Sequence, residues 1–226
     1  DGSGEVQLFV SQAEMGNDEF AAFDDLDLGD WVGVGGRVMK TRKGEVSVKA
    51  NAVSLLAKAL LPLPEKWHGL SDVETRFRQR YVDLIANEEA RRVFAVRFSV
   101  LSTLRKIFSE RGFVEVETPV LHAQAGGATA RPFMTHHQAL DVPLTLRIAL
   151  ELHLKRLLVG GMERVFEIGR VFRNEGLSTR HNPEFTMLEA YQALADYTDM
   201  MTLVEELVAE CAQAANGTKM VTIDGT

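Results

Sequence analysis

The sequence predicts an α+β chain: a small all-β unit first, then a larger unit of helices on an antiparallel sheet. Three patterns carry that expectation. Short period-two runs crowd into the first stretch of about 60 residues, with glycines at the bends. A long run with apolar residues at spacings of three and four follows. Two extended strands joined by a charged turn then precede a last helix.

The elements follow in order. "EVQLFV" reads as one strand and "DWVGVGGRVMKTRKGEVSVKANAVSLL" as two or three more, with "RKGE" as a turn; a short helix is expected over 18–27. This pattern suggests a small twisted barrel of the oligonucleotide-binding (OB) type that has lost its first strand. Pro62 and Pro64 interrupt any ladder, so a boundary is expected between Leu60 and Leu70. The expected division is residues 1–62 for the barrel, 63–90 for a linker and 91–226 for the sheet unit.

In "ARRVFAVRFSVLSTLRKIFSERG", Phe94, Phe98, Leu101, Leu104 and Phe108 recur at helical spacing beside Val93, Val96, Val100 and Ile107, and Gly112 closes the helix. So wide an apolar arc needs a large partner, either the sheet beyond it or a second subunit. "FVEVETPVL" is a strand ending at Pro119, and "LRIALELHLKRLLVGG" is a strand entering a short helix, with Leu150, Leu154, Leu157 and Leu158 inward. Strands over 162–175 and 184–194 and a helix over 199–214 complete the chain.

Composition excludes several classes. With 25 basic and 32 acidic side chains the net charge is −7, so nucleic-acid contact has to come from a local patch. One cysteine, Cys211, rules out a disulfide framework or a cysteine-based zinc site, and its apolar helical neighbours read it as a core residue. No apolar run reaches the roughly 18 residues of a membrane helix, and an intracellular, cytoplasmic location is expected. "GVGG" at 33–36 precedes a strand and lacks the following Lys-Ser/Thr of a phosphate loop. His136 and His137 are adjacent, so on a strand they point apart and make a poor metal pair.

The richest stretch is "RVFRNEGLSTRHNPEF", residues 170–185. By strand parity Arg173 and Glu175 share a face of the first strand, and Phe185, Met187, Glu189 and Tyr191 share one of the second. Glu184, Thr186, Leu188 and Ala190 form the mixed reverse side. Phe185 and Glu189 would stand roughly 13 Å apart, a ring at one end of a wall and a carboxylate at the other. Arg173 offers a planar fork suited to phosphate, and Arg180 and His181 lie in the connecting loop. A solvated hairpin face carries similar residues, and patterning alone leaves both readings open. Glu151, at a helix start, also fits either.

Resemblance is sharper. "GMERVFEIGRVFRNEGLSTRHNPEFTMLEAYQALADY" resembles motif 2 of the class II aminoacyl-tRNA synthetases, specifically of the lysyl-tRNA synthetases, and "RGFVEVETPVL" resembles motif 1 with Pro119 as its proline. "GGATARPFMTHHQALDVPLTLRIALELHLKRLLVGG" is similar to the block between the motifs, and "LLAKALLPLPEKWHGLSDVETRFRQRYVDLI" to the link from the anticodon-binding barrel.

The resemblance implies an OB-type anticodon-binding barrel followed by the antiparallel-sheet catalytic domain of the class, both incomplete. It implies L-lysine, ATP with Mg2+, and tRNA(Lys) as substrates and partners, and a homodimer formed through motif 1. By position, Arg173 would be the catalytic arginine on the α-phosphate, with Glu175, His181 and Phe185 holding the nucleotide. Gly127, Glu151, Glu189 and Tyr191 would surround lysine, and Gln7 and Glu45 would read anticodon bases. No metal ligand is implied in these residues. The class's third motif, with its γ-phosphate arginine and magnesium carboxylates, has no match here, so activity from these residues alone is not expected. Two other classes fit the same residues: a lysyl transferase to a lipid or protein, and a non-catalytic nucleic-acid-binding dimer scaffold.

Overall fold

The computed structural model describes residues 4–61, 63 and 70–222. The expected break at Pro62 and Pro64 lies outside these residues. The chain divides into two compact units, Asp1–Arg92 and Val93–Thr226.

In the first unit, β1 (Gln7–Phe9) leads through short helices α1 (Gln12–Met15) and α2 (Asn17–Ala21) to β2 (Trp31–Lys40) and β3 (Val46–Ala57). The run expected to hold two or three strands holds two, and "GVGG" lies inside β2. The sheet order is β1-β3-β2, with β1 parallel and β2 antiparallel to the central strand. A bulge between Gly35 and Gly36 bends β2 around β3. Only glycine fits there, since a Cβ on Gly36 would lie 2.3 Å from the Lys49 carbonyl oxygen. Lys58 ties the end of β3 back through Asp27 at 2.6 Å and Asp30 at 2.8 Å.

Two short helices occupy the stretch read as linker: α3 (Val73–Arg78), capped by Asp72, and α4 (Arg80–Ala86). They are too short for a hydrophobic period to mark them. Their shared anchor is the buried Asp83, bonded by Arg76 at 2.8 Å and also by Arg80 and Asn87.

Helix α5 (Glu88–Glu110) ends as the sequence expects. Gly112 takes φ +76° and the Phe113 N–H reaches back to the Phe108 carbonyl at 2.9 Å, the double turn that a left-handed glycine permits. The expected strand after it shrinks to β4 (Val114–Glu115), which runs parallel to β8 (Arg164–Phe172). The main sheet, order β4-β8-β9, is therefore mixed, with a long antiparallel pair β8 and β9 (Glu184–Gln192). A second small sheet is ordered β5 (Leu121–His122), β7 (Val142–Leu146), β6 (Met134–His137). His136 bonds Asp141 and His137 accepts from the Leu140 N–H, so each ring is used locally.

Each face of the β8–β9 pair has its own core. Phe166, Ile168, Leu188 and Ala190 face Ile107 and Phe108 of α5 and Leu203 and Leu207 of α7 (Tyr197–Asn216). Phe108 stacks on Phe166 with ring centres 4.6 Å apart. On the other face Val165, Val171, Phe185, Met187 and Tyr191 meet Leu150, Leu154, Leu157 and Leu158 of α6 (Glu151–Val159) and the residue preceding it. The leucines expected to point inward do so. The first half of α5 is less covered: Val93 is 57% and Phe98 64% exposed. Cys211 on α7 is half-buried, and burial pushes its thiol pKa up, away from the reactive thiolate.

Candidate active site

Register decides which side chains meet. In the antiparallel pair Val171 faces Phe185, Gly169 faces Met187, Glu167 faces Glu189 and Val165 faces Tyr191. Directly opposed residues point to the same side, so Phe185, Glu189 and Tyr191 rise from one surface, as parity predicts.

Arg173 departs from the expected geometry. Strand β8 stops at Phe172, three residues short of the end expected at Glu175. The Arg173 N–H still reaches the Pro183 carbonyl at 2.8 Å, but the Asn174 N–H donates instead to the Arg131 carbonyl at 2.8 Å. Glu175 therefore leaves the ladder and accepts from the Arg131 N–H at 3.3 Å. Arg131 takes over the edge of the strand. Nothing in the local pattern marks a residue 43 positions before Asn174 as that partner.

Beyond the strand end the chain folds into a tight turn. Ser178 and His181 exchange backbone bonds at 3.2 Å, and the Ser178 hydroxyl pairs with His181 Nδ1 at 2.8 Å. The result is a cavity of about 330 Å³ lined by Arg173, Glu175, Gly176, Arg180, His181, Asn182 and Phe185. That is near the lower end of the roughly 300–1,000 Å³ of small-molecule sites. The Arg173 guanidinium stands 5.3 Å from the Phe185 ring centre and its Nε donates to the Ile148 carbonyl at 3.4 Å. A ring, a forked cation and an imidazole thus share one opening, suited to a flat group carrying phosphate.

A second cluster surrounds the start of α6. Glu189 Oε1 accepts from the Leu150 N–H at 3.0 Å, and Oε2 accepts from the Tyr191 hydroxyl at 2.9 Å. Both donors are neutral, and among the described residues Glu189 forms no ion pair. Burial, then the bond to Glu189, pushes the Tyr191 pKa well above its ordinary value, so its hydroxyl stays a proton donor. Glu151 is paired with Lys155 at 2.5 Å, and that ammonium lies 5.9 Å from the Tyr191 ring centre. Gly127, at φ +87°, packs against this helix start: a Cβ there would meet the Ala149 and Glu151 β-carbons at 3.2 Å. Any side chain would push into the cluster. Gly127, Glu151, Glu189 and Tyr191 are thus brought together, with Lys155 as a member that sequence reasoning passed over.

Under this wall lies a buried polar group equally absent from the sequence reading. Arg147 pairs with Glu167 at 2.6 Å, both under 5% exposed, and the Thr118 hydroxyl donates to the other Glu167 oxygen at 2.6 Å. A glycine inside a strand is the available signal of such close approach, and Gly169 is that glycine.

In the first unit the register pairs Gln7 with Ser47. Glu45 lies just before β3, in the turn closed by the Thr41 N–H bond to its carbonyl at 2.9 Å. The Ser47 hydroxyl donates to the Gln7 amide oxygen at 2.7 Å.

Two stretches of the chain match known families. Residues 72–224 match the family of class II tRNA synthetases (D, K and N). The chain belongs to that family. Residues 1–56 match an OB-fold nucleic acid binding domain, which gives the three-stranded unit its fold. Curated relatives of this class II synthetase chain include the lysine–tRNA ligase of Dehalococcoides mccartyi, 59% identical over 217 residues (96% of this chain, 44% of the relative). The lysine–tRNA ligase of Carboxydothermus hydrogenoformans is 58% identical over 226 residues, all of this chain and 46% of the relative. That of Bacillus subtilis is 56% identical over 218 residues. The chain therefore spans a little under half the length of these relatives. Among the described residues no helix is long and apolar enough to cross a membrane.

Proposed function

We propose that this chain supplies the anticodon-binding barrel and part of the active site of a lysine–tRNA ligase. The ligase joins L-lysine to ATP as lysyl-adenylate, releasing pyrophosphate, and passes the lysyl group to the 3′ end of tRNA(Lys). The observation that carries this reading is the meeting of two clusters on one sheet surface: Arg173, Glu175, His181 and Phe185 around one cavity, and Gly127, Glu151, Glu189 and Tyr191 beside it. Relatives named lysine–tRNA ligase at 56–59% identity support it.

Chemically, the lysine carboxylate attacks the α-phosphorus of ATP and pyrophosphate leaves from the opposite side. Negative charge grows on the phosphoryl oxygens, and Arg173 is the fixed cation that faces it. Its orientation is set in advance by the Ile148 carbonyl and the Phe185 ring, so little reorganisation is needed during the reaction. Phe185 supplies the face for the adenine, and His181 and Glu175 hold the nucleotide from the loop side. Glu189 faces the substrate ammonium with hydrogen-bond partners that are themselves neutral. Shorter or uncharged amino acids leave that carboxylate desolvated and unpaired, which is the basis of selection.

The family resemblance implies Mg2+ with the nucleotide. Among the described residues no group of three or more metal-ligating side chains forms. Gln7 on β1 and Glu45 just before β3 are the residues proposed to read splayed anticodon bases. The Ser47 hydroxyl occupies the Gln7 oxygen, so its amide nitrogen is the group left for a base. The exposed first half of α5 is the surface assigned to a second copy, and the cytoplasm is the expected location.

The test uses a polypeptide carrying these residues within the full length of its relatives. Lysine-dependent exchange of pyrophosphate into ATP, followed by charging of tRNA(Lys), is expected. Exchange without tRNA charging, or lysyl transfer to lipid or protein, would replace the acceptor named here. No lysine-dependent exchange would overturn the reading.

A further inference from the structure

The segment Arg147–Leu150, between β7 and α6, touches both halves of the proposed site. The Ile148 carbonyl accepts from Arg173 at 3.4 Å, on the nucleotide side. Two residues on, the Leu150 N–H donates to Glu189 at 3.0 Å, on the lysine side. Any shift of this short backbone stretch moves both groups.

Arg147 holds the segment in place. Its side chain is 4% exposed and its donors go to fixed acceptors: Nη1 to Glu167 Oε1 at 2.6 Å and to the Thr118 carbonyl at 3.0 Å, and Nε to the Arg170 carbonyl at 2.8 Å. The main chain of Arg147 is tied at both ends too, its N–H to the Val120 carbonyl and its carbonyl to the Phe172 N–H, each at 2.9 Å. Gly169 provides the floor. A Cβ there would lie 2.3 Å from Arg147 Nη2 and 3.0 Å from Glu167 Oε1. The guanidinium rests on bare backbone of β8, between the register positions of Glu167 and Val171.

We infer that Arg147, seated by Glu167, Thr118 and Gly169, is a positioning residue that sets the nucleotide and lysine subsites together. The inference rests on the lysine–tRNA ligase reading. A merely structural ion pair makes a different prediction. Buried ion pairs can often be replaced by apolar residues of similar volume without loss of stability, and an enzyme that used the pair only as a strut would then recover its activity with its fold.

The experiment compares Arg147→Met, Arg147→Met/Glu167→Leu and Gly169→Ala in the full-length protein, with thermal unfolding beside exchange kinetics. Arg147→Met leaves Glu167 buried without its partner and is expected to lower the unfolding midpoint. The double variant removes that orphan charge and is expected to regain the midpoint. Its kcat/KM is nevertheless expected to stay at least about tenfold down for both lysine and ATP, a cost of about 1.4 kcal/mol or more. Gly169→Ala keeps every charge but lifts the guanidinium, and the same paired loss is expected. Amide hydrogen exchange at Leu150 is expected to quicken in step, as its bond to Glu189 loosens. A folded double variant or Gly169→Ala variant within threefold of the parent for both substrates would overturn the inference. So would a loss confined to one substrate. Should the double variant fail to fold, Gly169→Ala decides. A parent without lysine-dependent exchange would instead indict the ligase reading itself.

Discussion

Replacing Glu189 with glutamine isolates the charge that the proposed lysine subsite depends on. The side chain keeps its shape and one oxygen, which can still accept from the Leu150 N–H. The other position becomes an NH2 group facing the Tyr191 hydroxyl, which now donates to that oxygen at 2.9 Å. A hydroxyl can turn and accept instead, so the net loss to folding is about 1 kcal/mol, the worth of a weakened hydrogen bond. The substrate side is different. Glu189 has no ion pair among the described residues, so its charge is available to the substrate ammonium. Removing one partner of a desolvated charge pair costs about 2–5 kcal/mol, which is about 30-fold to 4,000-fold in kcat/KM for lysine. ATP binding should change little, because Arg173 is held through Ile148 and Phe185 rather than through Glu189. Lysine-dependent pyrophosphate exchange in the full-length protein measures this. A variant within about threefold of the parent would refute the assignment of Glu189 to the substrate ammonium.

Other outcomes are expected on the same grounds. Residues 1–226 alone should form no lysyl-adenylate despite folding: Arg173 faces one side of the reacting phosphate, and relatives are about twice as long; turnover near that of a full-length relative would contradict this. Full-length protein should sediment as a two-fold dimer, and Phe98→Asp on the exposed part of α5 should shift it toward monomer; a monomeric parent at micromolar concentration would remove the dimer surface. Asp30 is held down at about 2 by its bond from Lys58 and by the Asp27 and Ala59 N–H groups. Its folded pKa lies below the unfolded value near 4, so its stabilisation is full above about pH 4 and disappears as pH falls through about 2. Asp30→Asn should therefore lower neutral-pH stability and flatten the acid dependence of the barrel unit between those limits; unfolding curves at several pH values that match the parent's would contradict it.

Long-period elements were legible in the chain itself. The helix ending at Gly112, the inward leucines 150, 154, 157 and 158, and the shared side of Phe185, Glu189 and Tyr191 all follow from repeats of 3.6 and 2, because side-chain direction is set by local backbone geometry. Helices α3 and α4 were not legible, since a helix of six or seven residues shows less than two periods. Nor was the shortening of β4, whose length depends on how far β8 runs beside it.

The nature of the candidate site was carried by residue types in sequence; its construction was decided by tertiary structure. "FRNE" placed a cation and a carboxylate near a ring, but local pattern put Glu175 in a strand. The backbone of Arg131 intervenes there, and Glu175 turns to it. Glu167 and Glu189 look alike along the chain. Only the fold makes one a buried partner of Arg147 and leaves the other with neutral donors. That difference arises because a carboxylate's chemistry depends on which charges stand within a few ångströms of it, and those neighbours come from Thr118, Arg147 and Leu150, tens of residues away in sequence but adjacent once the sheet closes.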